Sequence, residues 1–262
     1  MRIKVNGRET YIATGGKTFD ANLPTLVFIH GSGLDHRTWA LQTRWFAFRG
    51  WSVVAPDLPG HSLSKGKPLA SIEAMADWIW KLLDTLEVKQ GSLIGHSQGA
   101  LVALEAAARQ PERTRSLSII ASGSAIPVNP QLLETAQKNR PAAVEAMLTW
   151  GFGRDYQFGK SHVPGQAPIA VGSRIMQSNP LEIDLEACQN YTNGENAAAL
   201  VTSPSQLILA NYDKMTPKAN GLALADKITG STVTAIDAGH MLPIEAPDQC
   251  LDQLRQFITS LD

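Results

Sequence analysis

Five short runs of apolar residues, each closed by turn-forming residues, constrain this chain more than any other feature. They are Leu26-Val27-Phe28-Ile29, Val53-Val54-Ala55, Ser92-Leu93-Ile94, Leu117-Ser118-Ile119-Ile120-Ala121 and Leu207-Ile208-Leu209-Ala210. The runs are continuous rather than alternating. A strand with one face in water alternates apolar and polar residues, whereas a strand covered on both faces does not. Helical patterns fall between the runs. The clearest follows Ser71, a good N-cap, and sets Ile72, Met75, Ala76, Ile79, Leu82, Leu83 and Leu86 on one stripe of period 3.6. Trp78 and Trp80 lie off its centre and are expected to pack at its edges. A second helix is expected over Gln98–Arg109, ending before Pro111. Buried strands alternating with helices predict an α/β architecture with right-handed crossovers. Ahead of them, Ile3-Lys4-Val5 and Tyr11-Ile12-Ala13 flank Asn6-Gly7, a hairpin signal, so the sheet is expected to open antiparallel.

The stretch from 125 to 204 has no strong buried-strand run. Seven prolines (Pro127, Pro130, Pro141, Pro164, Pro168, Pro180 and Pro204) separate helix-like pieces such as 142–150 and 181–191. The chain therefore divides into a core of residues 1–124 and 205–262 and a helical cap, residues 125–204, inserted between two sheet strands. With 262 residues, 44% hydrophobic and 18% charged, the composition suits one domain with a substantial core and excludes disorder. A formal net charge of -1 gives no electrostatic basis for binding nucleic acid. The longest uncharged stretch, between Arg115 and Glu134, is broken by Pro127 and Pro130, so no membrane partner is expected. Met1 is followed by Arg2, Lys4, Arg8 and Glu9 without an apolar signal region, which favours a cytoplasmic location. Cys188 and Cys250 do not demand a disulfide, and two free thiols in a reducing compartment is the favoured reading.

Chemistry concentrates in loops after the predicted strands. Gly95-His96-Ser97-Gln98-Gly99 fits G-x-S-x-G, and it lies between a buried run and a helix. That placement makes it a candidate nucleophile elbow rather than a capped turn. A serine hydroxyl is a poor nucleophile near neutral pH and needs a base. Of the six histidines, His240 in Asp237-Ala238-Gly239-His240-Met241 follows the strand-like Thr232–Ile236 and reaches the same sheet edge. His96 is expected to pack, His30 to brace the following loop, and His36, His61 and His162 to be structural or substrate-facing. The base needs an acid to fix its tautomer. Asp213 follows the run at 206–210 and falls between serine and histidine in chain order. Asp237 competes but is expected to end a strand in solvent, and Asp184 lies in the insertion, away from the sheet edge. The turn His30-Gly31-Ser32-Gly33 can aim a backbone N–H at a developing oxyanion, giving Ser32 and Gln98 as the expected donors.

Together these pieces resemble an α/β-hydrolase of the small, capped serine esterase type. The matching segments are His30-Gly31-Ser32-Gly33, Asp57-Leu58-Pro59-Gly60-His61-Ser62, Gly95–Gly99, Asp213-Lys214-Met215-Thr216-Pro217 and Gly239-His240. Two departures occur: Ser62 and Asn211-Tyr212 stand where the family often has glycine. Asp57 is read as a structural acceptor. The resemblance implies an α/β-hydrolase fold, a mostly parallel eight-stranded sheet flanked by helices. It also implies hydrolysis of carboxylic esters by Ser97, His240 and Asp213 through an acyl-enzyme. Gly31, Met147, Trp150, Phe152, Ile175 and Met241 are expected to contact the substrate.

No cofactor and no metal are expected. Gly15-Gly16-Lys17-Thr18 mimics the end of a phosphate loop, but Tyr11 stands where that motif requires glycine. Expected partners are a small-molecule ester and water. Carbon–carbon bond hydrolysis of ring-cleavage products is a rival, weakened by Met241 where those enzymes often have tryptophan. Lactone or thioester cleavage and cofactor-free perhydrolysis would use the same triad. A non-catalytic ligand receptor is disfavoured by a complete triad, and an aspartate-dependent dehalogenase or epoxide hydrolase by Ser97.

Overall fold

The computed structural model describes residues 1–261. Its sheet comprises β1 (Arg2–Val5), β2 (Arg8–Ala13), β3 (Thr25–Ile29), β4 (Ser52–Pro56), β5 (Gly91–His96), β6 (Thr114–Ile120), β7 (Ser205–Ala210) and β8 (Thr232–Ile236). The spatial order is β1-β2-β4-β3-β5-β6-β7-β8. β1 with β2 and β2 with β4 are antiparallel, and all later neighbours are parallel. Asn6 and Gly7 turn the opening hairpin with φ of 49° and 74°, the double positive φ that a two-residue hairpin of right-handed twist requires.

The continuous apolar runs are strands covered on both faces. In β3, Val27 and Ile29 enter one core cluster while Leu26 and Phe28 enter the other. In β7, Leu207 and Leu209 divide in the same way from Ile208 and Ala210. The first face is covered by helices Ile72–Thr85 and Gln98–Arg109, the second by Ala40–Ala47 and Pro247–Thr259. Each large side chain buried in this way contributes about 1.5–3 kcal/mol. The Ser71 hydroxyl caps its helix by accepting from Ala74 N–H. Trp80 is buried and donates its indole N–H to Ala106 O at 2.9 Å, and Trp78 is buried as well.

Between β6 and β7 the described chain forms helices Pro130–Lys138, Arg140–Gly151, Arg154–Gln157, Pro168–Met176, Leu181–Asn190 and Gly194–Leu200. Four of the seven prolines that break the sequence pattern lie at the starts of these helices. Pro130, Pro141 and Pro168 occupy first-turn positions and Pro180 immediately precedes one, where a missing N–H is harmless. The segment has no separate core: Met147, Phe152, Ile175 and Leu185 join the same cluster as Val27 and Leu93. Its last helix packs against Gln98–Arg109, beside the sheet. Among the described residues no helix is long and apolar enough to cross a membrane. The parallel strands β3, β5, β7 and β8 deliver residues 30–34, 97, 211–216 and 237–241 to one sheet edge, where open α/β sheets bind ligands.

Candidate active site

Ser97 sits at the sharp reversal between β5 and helix Gln98–Arg109 with φ 55° and ψ −120°. The flanking glycines are enforced by contact. A Cβ on Gly95 would stand 2.1 Å from Gly99 O, and one on Gly99 would stand 2.2 Å from Ile29 O. Ser97 N–H is held by Ile120 O at 2.9 Å.

His240 Nε2 lies 2.9 Å from Ser97 Oγ, and His240 Nδ1 lies 2.9 Å from Asp213 Oδ2. All three side chains are buried. Asp213 Oδ1 accepts the N–H groups of Met215 and Thr216, each at 2.8 Å. Thr216 Oγ1 lies 2.8 Å from Asp213 Oδ2. Burial disfavours the Asp213 charge. The His240 ring and the hydrogen bonds from His240 and Thr216 outweigh it and hold the carboxyl below its ordinary range. An ionised Asp213 can only accept, so Nδ1 of His240 donates to it and the Nε2 lone pair faces the serine hydroxyl. This arrangement can move the Ser97 proton onto Nε2.

His96 supports the far side of His240. Burial and the nearby His240 lower its pKa to about 3, so it is neutral, and its Nε2–H donates to His240 O at 2.8 Å. His30 Nδ1–H meets Gly31 O at 3.0 Å while Nε2 accepts Leu58 N–H at 3.2 Å, which braces the 30–33 turn. That turn presses on the elbow: a Cβ on Gly31 would be 3.2 Å from Ser97 Cβ. Among the described residues no protein group accepts the backbone N–H of Ser32 or of Gln98. Asp57 accepts from His36 Nδ1 at 2.7 Å and from the N–H groups of His36 and Leu63. Ser62, at the departure from the family pattern, takes φ 44°, the left-handed region that glycine usually fills. Asp237 is exposed and accepts from Asn211 Nδ2.

A cavity of about 400 Å³ opens on Ser97 and Ser32. Ile126, Pro127, Val128, Asn129, Leu132, Met147, Trp150, Leu185, Cys188, Lys214 and Met215 complete its lining. Of the residues expected to contact the substrate, Met147 and Trp150 line this cavity. Phe152 and Ile175 do not: each is 1% exposed and packed in the core. Helix Arg140–Gly151 ends just before Phe152, and the ring turns inward, against Gly172. Gly31 and Met241 do not line the cavity either. Gly31 is wedged behind it against His96, and the Met241 side chain, 1% exposed, lies against Gly151. The lining from 126–129, Leu185 and Cys188 carries no sequence signal, because it depends on how the segment between β6 and β7 folds back. Both cysteines are free and buried, and burial pushes the Cys188 thiol up to about 12.

The sequence has no metal-ligand spacing, yet folding gathers Asp35, His36 and Asp57. Each is already engaged, Asp35 with Arg37 and Asp57 with His36.

Residues 24–247 match the family described as alpha/beta hydrolase fold. The chain is 29% identical over 248 residues to the dihydrolipoyllysine-residue acetyltransferase component of the acetoin cleaving system from Pseudomonas putida, covering 89% of this chain and 63% of that protein. It therefore spans less than two thirds of that relative's length. Among solved structures, the enol-lactonase from Burkholderia xenovorans LB400 matches with a TM-score of 0.88 at 23% identity, over 99% of this chain and 100% of that one. A thermophilic esterase from Thermogutta terrifontis, bound to malate, matches with a TM-score of 0.84 at 22% identity, over 100% and 99%. At these identities the structural likeness concerns the fold. With the strand order, the serine elbow and the family match in agreement, the chain belongs to the α/β-hydrolase fold family.

Proposed function

We infer that the protein hydrolyses carboxylic esters of small or medium acyl chains through an acyl-enzyme on Ser97. The observation that carries this reading is the unbroken chain of contacts from Asp213 through His240 to Ser97, ending on an apolar cavity.

Ser97 Oγ attacks the ester carbonyl as its proton passes to His240 Nε2. The N–H groups of Ser32 and Gln98, without protein acceptors among the described residues, are available for the oxyanion, and each such donor supplies about 2.7–4 kcal/mol of transition-state stabilisation. Collapse breaks the carbonyl–alkoxy bond, and His240 returns the proton to the leaving alcohol. Water then attacks the acyl-serine, giving its proton to His240. Expulsion of Ser97 Oγ, which takes that proton back, releases the acid. Asp213 stays ionised throughout. A cavity of about 400 Å³ with one charged lining residue, Lys214, suits a short or medium chain. Names among similar proteins agree with ester chemistry, both open (the Thermogutta esterase) and cyclic (the Burkholderia enol-lactonase).

The test is turnover of p-nitrophenyl esters from acetate to decanoate, with S97A alongside. Activity favouring short chains and a loss of several orders of magnitude in S97A are expected. Undiminished turnover in S97A overturns the reading. So does failure on every ester and lactone while a dienol-ketone is cleaved.

A further inference from the structure

Glu245 ends the short helix Leu242–Glu245, five residues after His240, and its side chain is sealed from solvent. One oxygen, Oε2, accepts two backbone N–H groups, that of Gly153 at 2.9 Å and that of Gly239 at 3.0 Å. The other oxygen, Oε1, is buried with no partner. No cation pairs with this carboxyl among the described residues. A buried carboxylate without a counter-ion, half of it unsatisfied, is a poor way to stabilise a fold.

Its two donors belong to different parts of the molecule. Gly239 immediately precedes His240. Gly153 lies in the cap, just past the helix Arg140–Gly151 that brings Met147 and Trp150 to the cavity. The two backbones meet with no space between them. A Cβ on Gly239 would stand 2.4 Å from Gly153 N, 2.7 Å from Gly151 O and 2.8 Å from Glu245 Oε1. Met241 N–H adds a direct bond to Gly151 O at 3.1 Å. On the other side His96 holds His240 O. The N–H groups of Gly239 and Met241, on either side of His240, are therefore tied to the 151–153 turn, the first through Glu245 and the second directly.

We propose that Glu245 is a positioning residue that clamps the His240 loop to the Gly151–Gly153 turn of the cap, so that the cap sets the orientation of the imidazole toward Ser97. A charged acceptor binds two N–H groups more firmly than a neutral one, which accounts for a carboxylate in this place. The proposal rests on the reading of His240 as the base.

The experiment compares wild type, E245A, E245Q, G153A and S97A with p-nitrophenyl acetate, an acyl group too short to span the cavity. Active sites are titrated with an organophosphate, and folding is followed by thermal melting. Removal of both bonds in E245A is expected to lower kcat per titrated site by about 10- to 100-fold while KM changes less than about threefold. E245Q keeps an oxygen for the two N–H groups and should recover kcat to within about fivefold of wild type. G153A has an ordinary φ of −61°, and its Cβ would stand 3.1 Å from Glu245 Oε2. It should lower kcat without touching the cavity, and the loss should be non-additive with E245A. Wild-type kcat per site in folded E245A overturns the proposal. So does an equal loss in E245A and E245Q, or strict additivity of G153A with E245A. Should E245A fail to fold, E245Q and G153A decide alone: wild-type kcat in G153A overturns it. S97A separates the two readings, because an active S97A removes the serine mechanism, whereas an inactive S97A beside an unaffected E245A removes only the clamp.

Discussion

Asp184 Oδ2 stands 2.9 Å from Nε2 of His61, and both side chains are sealed from solvent. The same oxygen accepts Gly33 N–H at 2.7 Å, and the Asp184 carbonyl accepts from Gln98 Nε2 at 3.0 Å. A residue of the inserted segment thus stands behind both Ser32 and Gln98. Asn179, just ahead of the helix that carries Asp184, binds Gly33 O, Leu34 O and Asp35 with its amide and accepts Ser62 N–H. The 30–33 turn and the Gln98 side chain are therefore held by the inserted segment as well as by the sheet.

The first prediction concerns this pair. Burial opposes the charged imidazole, but the Asp184 charge and hydrogen bond outweigh it and raise the His61 pKa above its ordinary 6.5. The folded protein then binds the His61 proton more tightly than the unfolded chain. The contribution is full below pH 6.5 and is lost as pH rises through the folded-state value. D184N should lower stability at pH 6 by about 3 kcal/mol, and the deficit should shrink toward pH 9 as His61 deprotonates in wild type. It should also lower kcat by about tenfold through the loosened 30–33 turn. Urea unfolding across pH checks the first part. A deficit constant from pH 6 to 9 contradicts it.

Some of this architecture is legible in the sequence and some is not, for physical reasons. Leu26 to Ile29 read as a strand covered on both faces because such burial leaves no polar alternation. The elbow reads because Gly95 and Gly99 admit no side chain. Asp213 and His240 can be singled out because strand ends bring them to one edge. Asp184 reads as a bystander in an insertion, since nothing local records that the chain returns after Pro180 to meet His61. Trp150 and Phe152 are two residues apart, yet one is 41% and the other 1% exposed. Which of them meets the cavity is decided by where a helix stops, not by their hydrophobicity. Glu245 carries no signal in the sequence, because its partners are backbone N–H groups, one of them in a distant turn.

The second prediction isolates backbone strain at the elbow. Ser97 holds a φ that L side chains rarely adopt, at a cost of about 1–3 kcal/mol. S97A and S97G both lose the hydroxyl, but only glycine relieves the strain. S97G should therefore be more stable than S97A by about 1 kcal/mol, measured by calorimetry. Equal stabilities would mean that the turn imposes no such penalty. G95A and G99A should instead fail to fold or melt at least 10 °C lower, since backbone lies about 2 Å from each new Cβ.

The third prediction concerns selectivity. Met147 lines the cavity and is nearly buried. M147W should cut kcat/KM for hexanoyl esters about tenfold or more while acetyl esters change less than about twofold, since a misfit methylene costs about 1–3 kcal/mol. Lys214 is the only charged side chain in the lining, and it has no acidic partner among the described residues. At low salt, K214E should lower the ratio of kcat/KM for hemisuccinyl over butyryl esters by about tenfold. An unchanged ratio would place the acyl chain away from Lys214.

The last prediction sets stability against the clamp. Burial, against the pull of the Gly239 and Gly153 N–H groups, raises the Glu245 carboxyl from an ordinary 4.5 to about 6. The folded protein holds this proton more tightly than the unfolded chain, so stability falls as pH rises from 4.5 to about 6 and then levels. Glutamine cannot ionise and escapes that loss. Relative to wild type, E245Q should be about 2 kcal/mol more stable at pH 8 than the same comparison gives at pH 4, measured by urea unfolding of both proteins. A variant that is sturdier at pH 8 yet no faster would mean that the carboxylate is kept for its grip on Gly239 and Gly153 at the expense of stability. Parallel pH profiles for the two proteins would mean that the carboxyl ionises as readily in the fold as in water, and that its burial carries no penalty to explain.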